Sequence, residues 1–195
     1  SFSRRQRQMC IRDRSNCYYS ENLIIPENVL NVYTTRLQAI QINKIIKLFV
    51  NSDAVITDGT AGIGGNSVYF IKHFKRVNLI EKDPYMYKIL LKNTNSHNFT
   101  YNCSYNWVKF MLKQDVIYLD PPWGGNEYKN KDKIDLYLDE INVIDIINQM
   151  YNFTKIIVLK VPNNFNLSRI DTSFWLSKIF NICLLYTSPS PRDRV

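Results

Sequence analysis

The sequence predicts a doubly wound α/β domain built on a mostly parallel sheet, and three observations carry that expectation. The chain has 195 residues, 45% of them hydrophobic, which suits one domain with a real core. Five short apolar runs, several of them β-branched, are spaced along residues 54–161. Patterns of helical period separate consecutive runs, as parallel βαβ units require. No apolar run approaches the roughly 18 residues of a membrane-spanning helix.

Taken in order, the first element is a helix. Thr35 and Gln38 stand in the spacing of a capping box ahead of Ala39, Ile42, Ile45, Ile46 and Phe49, which recur at helical intervals. The predicted strands are Ala54–Asp58, Arg76–Glu81, Phe99–Cys103, Asp115–Asp120 and Lys155–Val161. The intervening helical patterns fall near Gly65–His73, Tyr85–Asn93, Tyr105–Leu112 and Leu136–Met150.

The two ends differ in kind from this core. Residues 4–15 (RRQRQMCIRDRS) have no period, and residues 184–194 (LLYTSPSPRDR) repeat the Arg-Asp-Arg triplet. Both resemble translated sequencing adapters. Residues 1–15 and 184–195 are therefore expected to be non-native or disordered tails around a domain over 16–183, the alternative for the first being a basic arm that binds nucleic acid. They hold +4 and +1 of the formal +8, so the core carries a mild +3 and does not by itself demand an anionic partner. Cys10, Cys17, Cys103 and Cys183 have no paired spacing and read as reduced thiols of an intracellular protein. His73 and His97 read as packing or surface residues, and no metal constellation is predicted.

In a doubly wound sheet ligands bind beyond the carboxyl ends of the strands, so the residues after each strand carry the chemistry. Asp58-Gly59-Thr60-Ala61-Gly62-Ile63-Gly64-Gly65 follows the first strand, where glycines permit a tight turn and close approach of a ligand to the backbone. Glu81 ends the second strand 23 residues after Asp58, placed to accept hydrogen bonds from a ribose diol. Two nucleoside cofactors compete, a nicotinamide dinucleotide and S-adenosylmethionine. The glycine spacing departs from the dinucleotide fingerprint at Ser67, and a carboxylate at Asp58 suits an ammonium but repels a pyrophosphate. S-adenosylmethionine is favoured. After the fourth strand comes Asp120-Pro121-Pro122-Trp123, in which the Asp120 carboxylate and Pro121 carbonyl are fixed acceptors for an exocyclic amine and Trp123 offers a face for a base.

The series DGTAGIGGN (58–66), IEKDP (80–84) and DPPWGGNEY (120–128), with VPNN (161–164), resembles the RNA cap guanine-N2 methyltransferases, the trimethylguanosine synthase family, over roughly Thr34 to Asn164. The resemblance implies a class I methyltransferase fold of Rossmann type, transfer of a methyl group from S-adenosylmethionine to N2 of a 7-methylguanosine cap, and capped RNA as partner, in the nucleus or cytoplasm. Carried over by position, it implies that Asp58, Gly59, Gly62, Gly64 and Gly65 hold the methionine moiety, that Glu81 binds the ribose, that Thr35 touches the cofactor carboxylate, and that Ser104 lies at the adenine. It also implies that Trp123 stacks on the methylated base with Tyr128 beside it, and that Asp120 and Pro121 orient the amine. The chain departs from the family at Asp120, where serine is frequent, and at Ser104, where an acid is frequent. The family's final strands would follow Phe180, so the sheet is expected to be truncated. Lys129, Lys131 and Lys133 read either as contacts to the cap triphosphate or, with Asp132 and Asp135, as a solvated face. Two other functions stay open: amino-methylation of adenine or uncapped guanine in RNA or DNA, which Asp120 suggests, and a module that binds caps or nucleotides without catalysis.

Overall fold

The structure is a computed structural model that describes residues 23–30, 33–95, 97 and 99–169. Helix α1 (Arg36–Ile46) precedes strand β1 (Val55–Asp58); α2 (Ser67–His73), β2 (Arg76–Ile80), α3 (Pro84–Asn93), β3 (Thr100–Tyr101), α4 (Tyr105–Val108) and β4 (Val116–Leu119) follow. A two-stranded hairpin, β5 (Tyr137–Leu138) and β6 (Ile141–Asn142), then leads into α5 (Val143–Met150) and β7 (Ile156–Leu159). The main sheet is parallel throughout, in the order β3-β2-β1-β4-β7. The chain winds outward one way from β1 and the other way from β4, so the switch point lies between these neighbours.

Burial explains why the sheet forms. All four residues of β1 and of β4 are buried, and helices cover both faces, as a parallel sheet demands. Ile42 and Ile46 of α1 and Phe70 of α2 pack with Ile56, Val77, Leu79 and Tyr118 on one face. Ile146 and Met150 of α5 and Tyr105 of α4 pack with Ile80, Ile117 and Leu119 on the other. The side chain of Gln38 accepts from Thr35 N at 2.9 Å, so the predicted start of α1 is the observed one. Asp83 caps α3 by accepting from Met86 N at 2.8 Å, with Pro84 at its first position; these two residues of IEKDP start a helix.

One predicted element is different. The helical pattern over Leu136–Met150 contains the β5–β6 hairpin, and helix begins only at Val143. Asp139 (φ 48°) and Glu140 (φ 67°) are both left-handed, the backbone of a two-residue hairpin turn, and Asn142 Oδ1 accepts from Ile144 N at the helix start. Helix α4 also stops at Val108, short of the pattern through Leu112. The tails at 1–15 and 184–195, the strands expected after Phe180, and Cys10, Cys17 and Cys183 lie outside the described residues. His73 and His97 bond to the carbonyls of Tyr69 and Val77. No helix among the described residues is long and apolar enough to cross a membrane.

Candidate active site

The carboxyl ends of β2, β1 and β4 bring three acids to one mouth: Glu81, Asp58 and Asp120. Asp58, the last residue of β1, is 1% exposed. Ser67 Oγ donates to its Oδ2 at 2.7 Å, and its Oδ1 is buried with no partner. Burial raises its pKa from 3.8 to about 7; Ser67 and the Thr60 backbone oppose the rise, and the charges of Asp120 and Glu81 add to it. A buried carboxylate with one bare oxygen is costly unless a cation meets it.

The glycine turn wraps this carboxylate. Gly64 has φ 95°, and a Cβ on Gly65 would lie 2.6 Å from the backbone oxygen of Thr34. The turn thus uses glycine for left-handed backbone at Gly62 and Gly64 and for close approach at Gly65. Glu81 braces it from the side: Oε2 accepts from Gly62 N and Oε1 from Asp83 N, each at 2.7 Å. Burial raises the pKa of Glu81, and those two backbone donors lower it.

Asp120 is not a lone acceptor. Lys160 Nζ lies 2.7 Å from its Oδ2, and the two side chains are only 9% and 17% exposed. The register explains the pair: Leu119 of β4 stands opposite Leu159 of β7, which sets the next residue of each strand side by side. Thr34 Oγ1 joins them, donating to Asp120 Oδ2 at 3.4 Å and accepting from Lys160 Nζ at 3.2 Å. Asn66 Nδ2 donates to Thr34 Oγ1 and to Tyr118 OH, both at 2.9 Å. Burial pushes the Asp120 carboxyl up, and Lys160 pulls it back.

Trp123 is half-buried against Ile134, Leu136, Val143, Ile144 and Phe165. Tyr128 meets it edge-on, with ring centroids 5.3 Å apart and planes at 84°. Lys160 Nζ sits 5.6 Å from its ring centre, and its Nε1 is buried without a partner. The VPNN turn clasps this loop: Asn164 Nδ2 donates to the carbonyls of Tyr128 and Lys131 at 2.7 Å, and Ile134 N donates to Asn164 O at 2.9 Å. Lys129, Lys131 and Lys133 are exposed.

The structure therefore gathers Asp58, Gly59, Gly62, Gly64, Gly65, Glu81, Asp120, Pro121 and Trp123 at one end of the sheet, with Tyr128 against Trp123. Thr35 caps α1, whose preceding residue Thr34 packs on the turn. Ser104 lies past β3, at the side farthest from Asp120, and caps α4. Sequence reasoning missed Thr34, Asn66, Tyr118 and Lys160. Lys160 did leave a trace, a charge ending the apolar run KIIVL just before a proline turn. Among the described residues no group of three His, Cys, Asp or Glu could hold a metal ion.

A five-stranded parallel sheet with a glycine turn after β1, an acid after β2 and DPPW after β4 defines the chain as a Rossmann-like α/β protein of the class I methyltransferase type. It belongs to the RNA cap guanine-N2 methyltransferase family, whose profile matches residues 53–181. An uncharacterised protein of Acanthamoeba polyphaga mimivirus, L320, is 36% identical over 121 residues, covering 57% of this chain and 47% of the relative. The trimethylguanosine synthase of Saccharomyces cerevisiae is 24% identical over 128 residues, covering 60% of this chain and 41% of the yeast protein. The chain thus spans less than half the length of either relative. A hypothetical protein of Thermus thermophilus superposes with TM-score 0.56 at 14% identity, over 75% of this chain and 83% of its own. A methyltransferase-like structure from Porphyromonas gingivalis gives TM-score 0.53 at 13% identity, over 74% of this chain and 36% of its own. At such identities these two share the fold.

Proposed function

We propose that the protein methylates the exocyclic N2 amine of a 7-methylguanosine RNA cap with S-adenosylmethionine as donor, within the domain over 16–183. The observation that carries this reading is the DPPW loop, set beside the bare oxygen of Asp58 across the switch point in a chain of the cap guanine-N2 family. Asp58 Oδ1 fits the cofactor's ammonium, because it is the buried acceptor that lacks a donor. Glu81 takes the ribose hydroxyls while its backbone bonds hold the carboxylate still. Gly62, Gly64 and Gly65 admit the methionine moiety against the backbone, with Thr35 at the cofactor's carboxylate end and Ser104 at its adenine end. When bound, S-adenosylmethionine would supply a methyl group on a sulfonium; the amine nitrogen would bond to the methyl carbon as the C–S bond breaks, and S-adenosylhomocysteine would leave.

The chain's own contribution is alignment. Lys160 and Thr34 both engage Asp120 Oδ2, which leaves Oδ1 and the Pro121 carbonyl to accept from the amine and point its lone pair at the methyl carbon. The amine sheds its proton after the new N–C bond forms, so no strong base is needed. Trp123 and Tyr128 hold the base, and pairing with Asp120 neutralises Lys160, so its charge does not repel a cationic 7-methylguanine at the Trp123 ring. Asp120 in place of the family's frequent serine supports a second reading, amino-methylation of uncapped guanine or of adenine.

The test offers labelled S-adenosylmethionine and the full chain to capped RNA and to the same RNA uncapped. Label confined to the cap nucleoside is expected, and equal labelling of both RNAs would move the assignment to the second reading. Trp123→Ala is expected to weaken cap binding by roughly 5- to 150-fold, the worth of about 1–3 kcal/mol of stacking. Unchanged cap affinity would remove Trp123 from the site.

A further inference from the structure

We infer that Asp139, at the tip of the β5–β6 hairpin, accepts the exocyclic amine of the cofactor's adenine and so selects an adenosyl cofactor; this rests on the proposed use of S-adenosylmethionine. Across the mouth of the site the strands stand in the order β4-β1-β2-β3. With the reacting methyl at the β4 loop, the methionine moiety at Asp58 of β1 and the ribose at Glu81 of β2, the base continues in the same direction over the end of β3. There the chain offers Ser104. Its hydroxyl hydrogen is already given to Asp139 Oδ2, and its oxygen accepts from Asn106 N at 3.2 Å. The acid that this end of the site lacks in its own segment is thus delivered from a hairpin 35 residues further along the chain.

The hairpin is built to hold that carboxylate in place. Asn106 Nδ2 donates to Leu138 O at 2.8 Å, which ties the strand before the turn to α4. Lys82, which directly follows Glu81, pairs with Asp139 Oδ1. Asp139 and Glu140 keep left-handed backbone without glycine at either position, and the Asp139 side chain is 24% exposed. A carboxylate has about four lone-pair sites. Ser104 donates to Oδ2, Lys82 pairs with Oδ1 and the Asn106 amide also donates to the carboxylate, so one of the four sites is left for the amine. The Lys82 partner is 69% exposed, so the pair contributes little to folding.

Calorimetric titration of the full chain with S-adenosylhomocysteine and with S-inosylhomocysteine, whose base carries a carbonyl in place of the amine, tests this. The wild-type chain is expected to bind the adenosyl form about tenfold tighter, the worth of one charge-assisted hydrogen bond. Asp139→Gly suits the φ of 48° and is expected to bring the two affinities within about twofold. Asp139→Asn keeps the side-chain shape and serves as the second variant; an amide both donates and accepts, so it is expected to level the preference as well. Full discrimination kept by either folded variant, or equal binding of both ligands by the wild type, would overturn the assignment and leave the proposed reaction standing. Binding of neither ligand by the wild type would overturn the proposed use of S-adenosylmethionine, and this inference with it.

Discussion

Asp58→Asn separates the cost of the site from its use. Burial lifts the folded-state pKa of Asp58 to about 7 from the 3.8 of an exposed carboxyl. Between those values the folded chain holds a proton that the unfolded chain has lost, so stability falls as pH rises through this window. From about pH 5 to about pH 8 the shift spans about two units, or about 2.5 kcal/mol lost by the wild type through this one group. Asparagine cannot ionise, keeps an oxygen for Ser67, and loses nothing across that range. In thermal melts the Tm of the variant relative to wild type is expected to rise by roughly 5–10 °C on going from about pH 5 to about pH 8. The same variant offers an amide to the ligand's ammonium, so its affinity for S-adenosylhomocysteine is expected to fall at least about tenfold. A Tm difference that is the same at both pH values would refute the reasoning, since it would mean that Asp58 is already ionised and compensated at acid pH.

Removing Lys160 leaves Asp120 with a buried and unmatched charge. Lys160→Met is therefore expected to cost about 3–5 kcal/mol in denaturant unfolding, while Asp120→Ser with Lys160→Met recovers most of it; equal losses in the two would deny the pair. Gly65→Ala puts a Cβ 2.6 Å from Thr34 O and must move the strap before α1. It is expected to cost about 1–3 kcal/mol and to loosen Asp120 through Thr34, and a melting temperature equal to wild type would show that the strap yields freely.

Local pattern made most of the frame legible. Apolar runs at VIT, VNLI, VIYL and IIVL mark the strands because a parallel sheet is covered on both faces, and the charged residue after each run, Asp58, Glu81, Asp120 and Lys160, marks the carboxyl end of the strand. The start of α1 and the Asp83-Pro84 start of α3 were likewise readable, since capping is chemistry within one turn. The hairpin inside Leu136–Met150 was not, because Leu136, Ile141, Ile144 and Ile147 are apolar at spacings that serve a helix as well as two short strands. Docking of the turn on Ser104, Asn106 and Lys82, with Leu138 and Ile141 packed on the core, favours the hairpin.

The sequence by itself determined the order of the elements and the chemical types held at the strand ends, because period, capping and turn formation are local. The tertiary structure alone decided which of those groups meet. Lys160 is 40 residues from Asp120, Thr34 is 86 from it, and Asp139 is 35 from Ser104. Strand register and hairpin docking set these pairs, and both depend on burying faces contributed by distant segments. No local pattern encodes that choice, so the ion pair behind the DPPW loop and the acid at the far end of the site appear only once the sheet has closed.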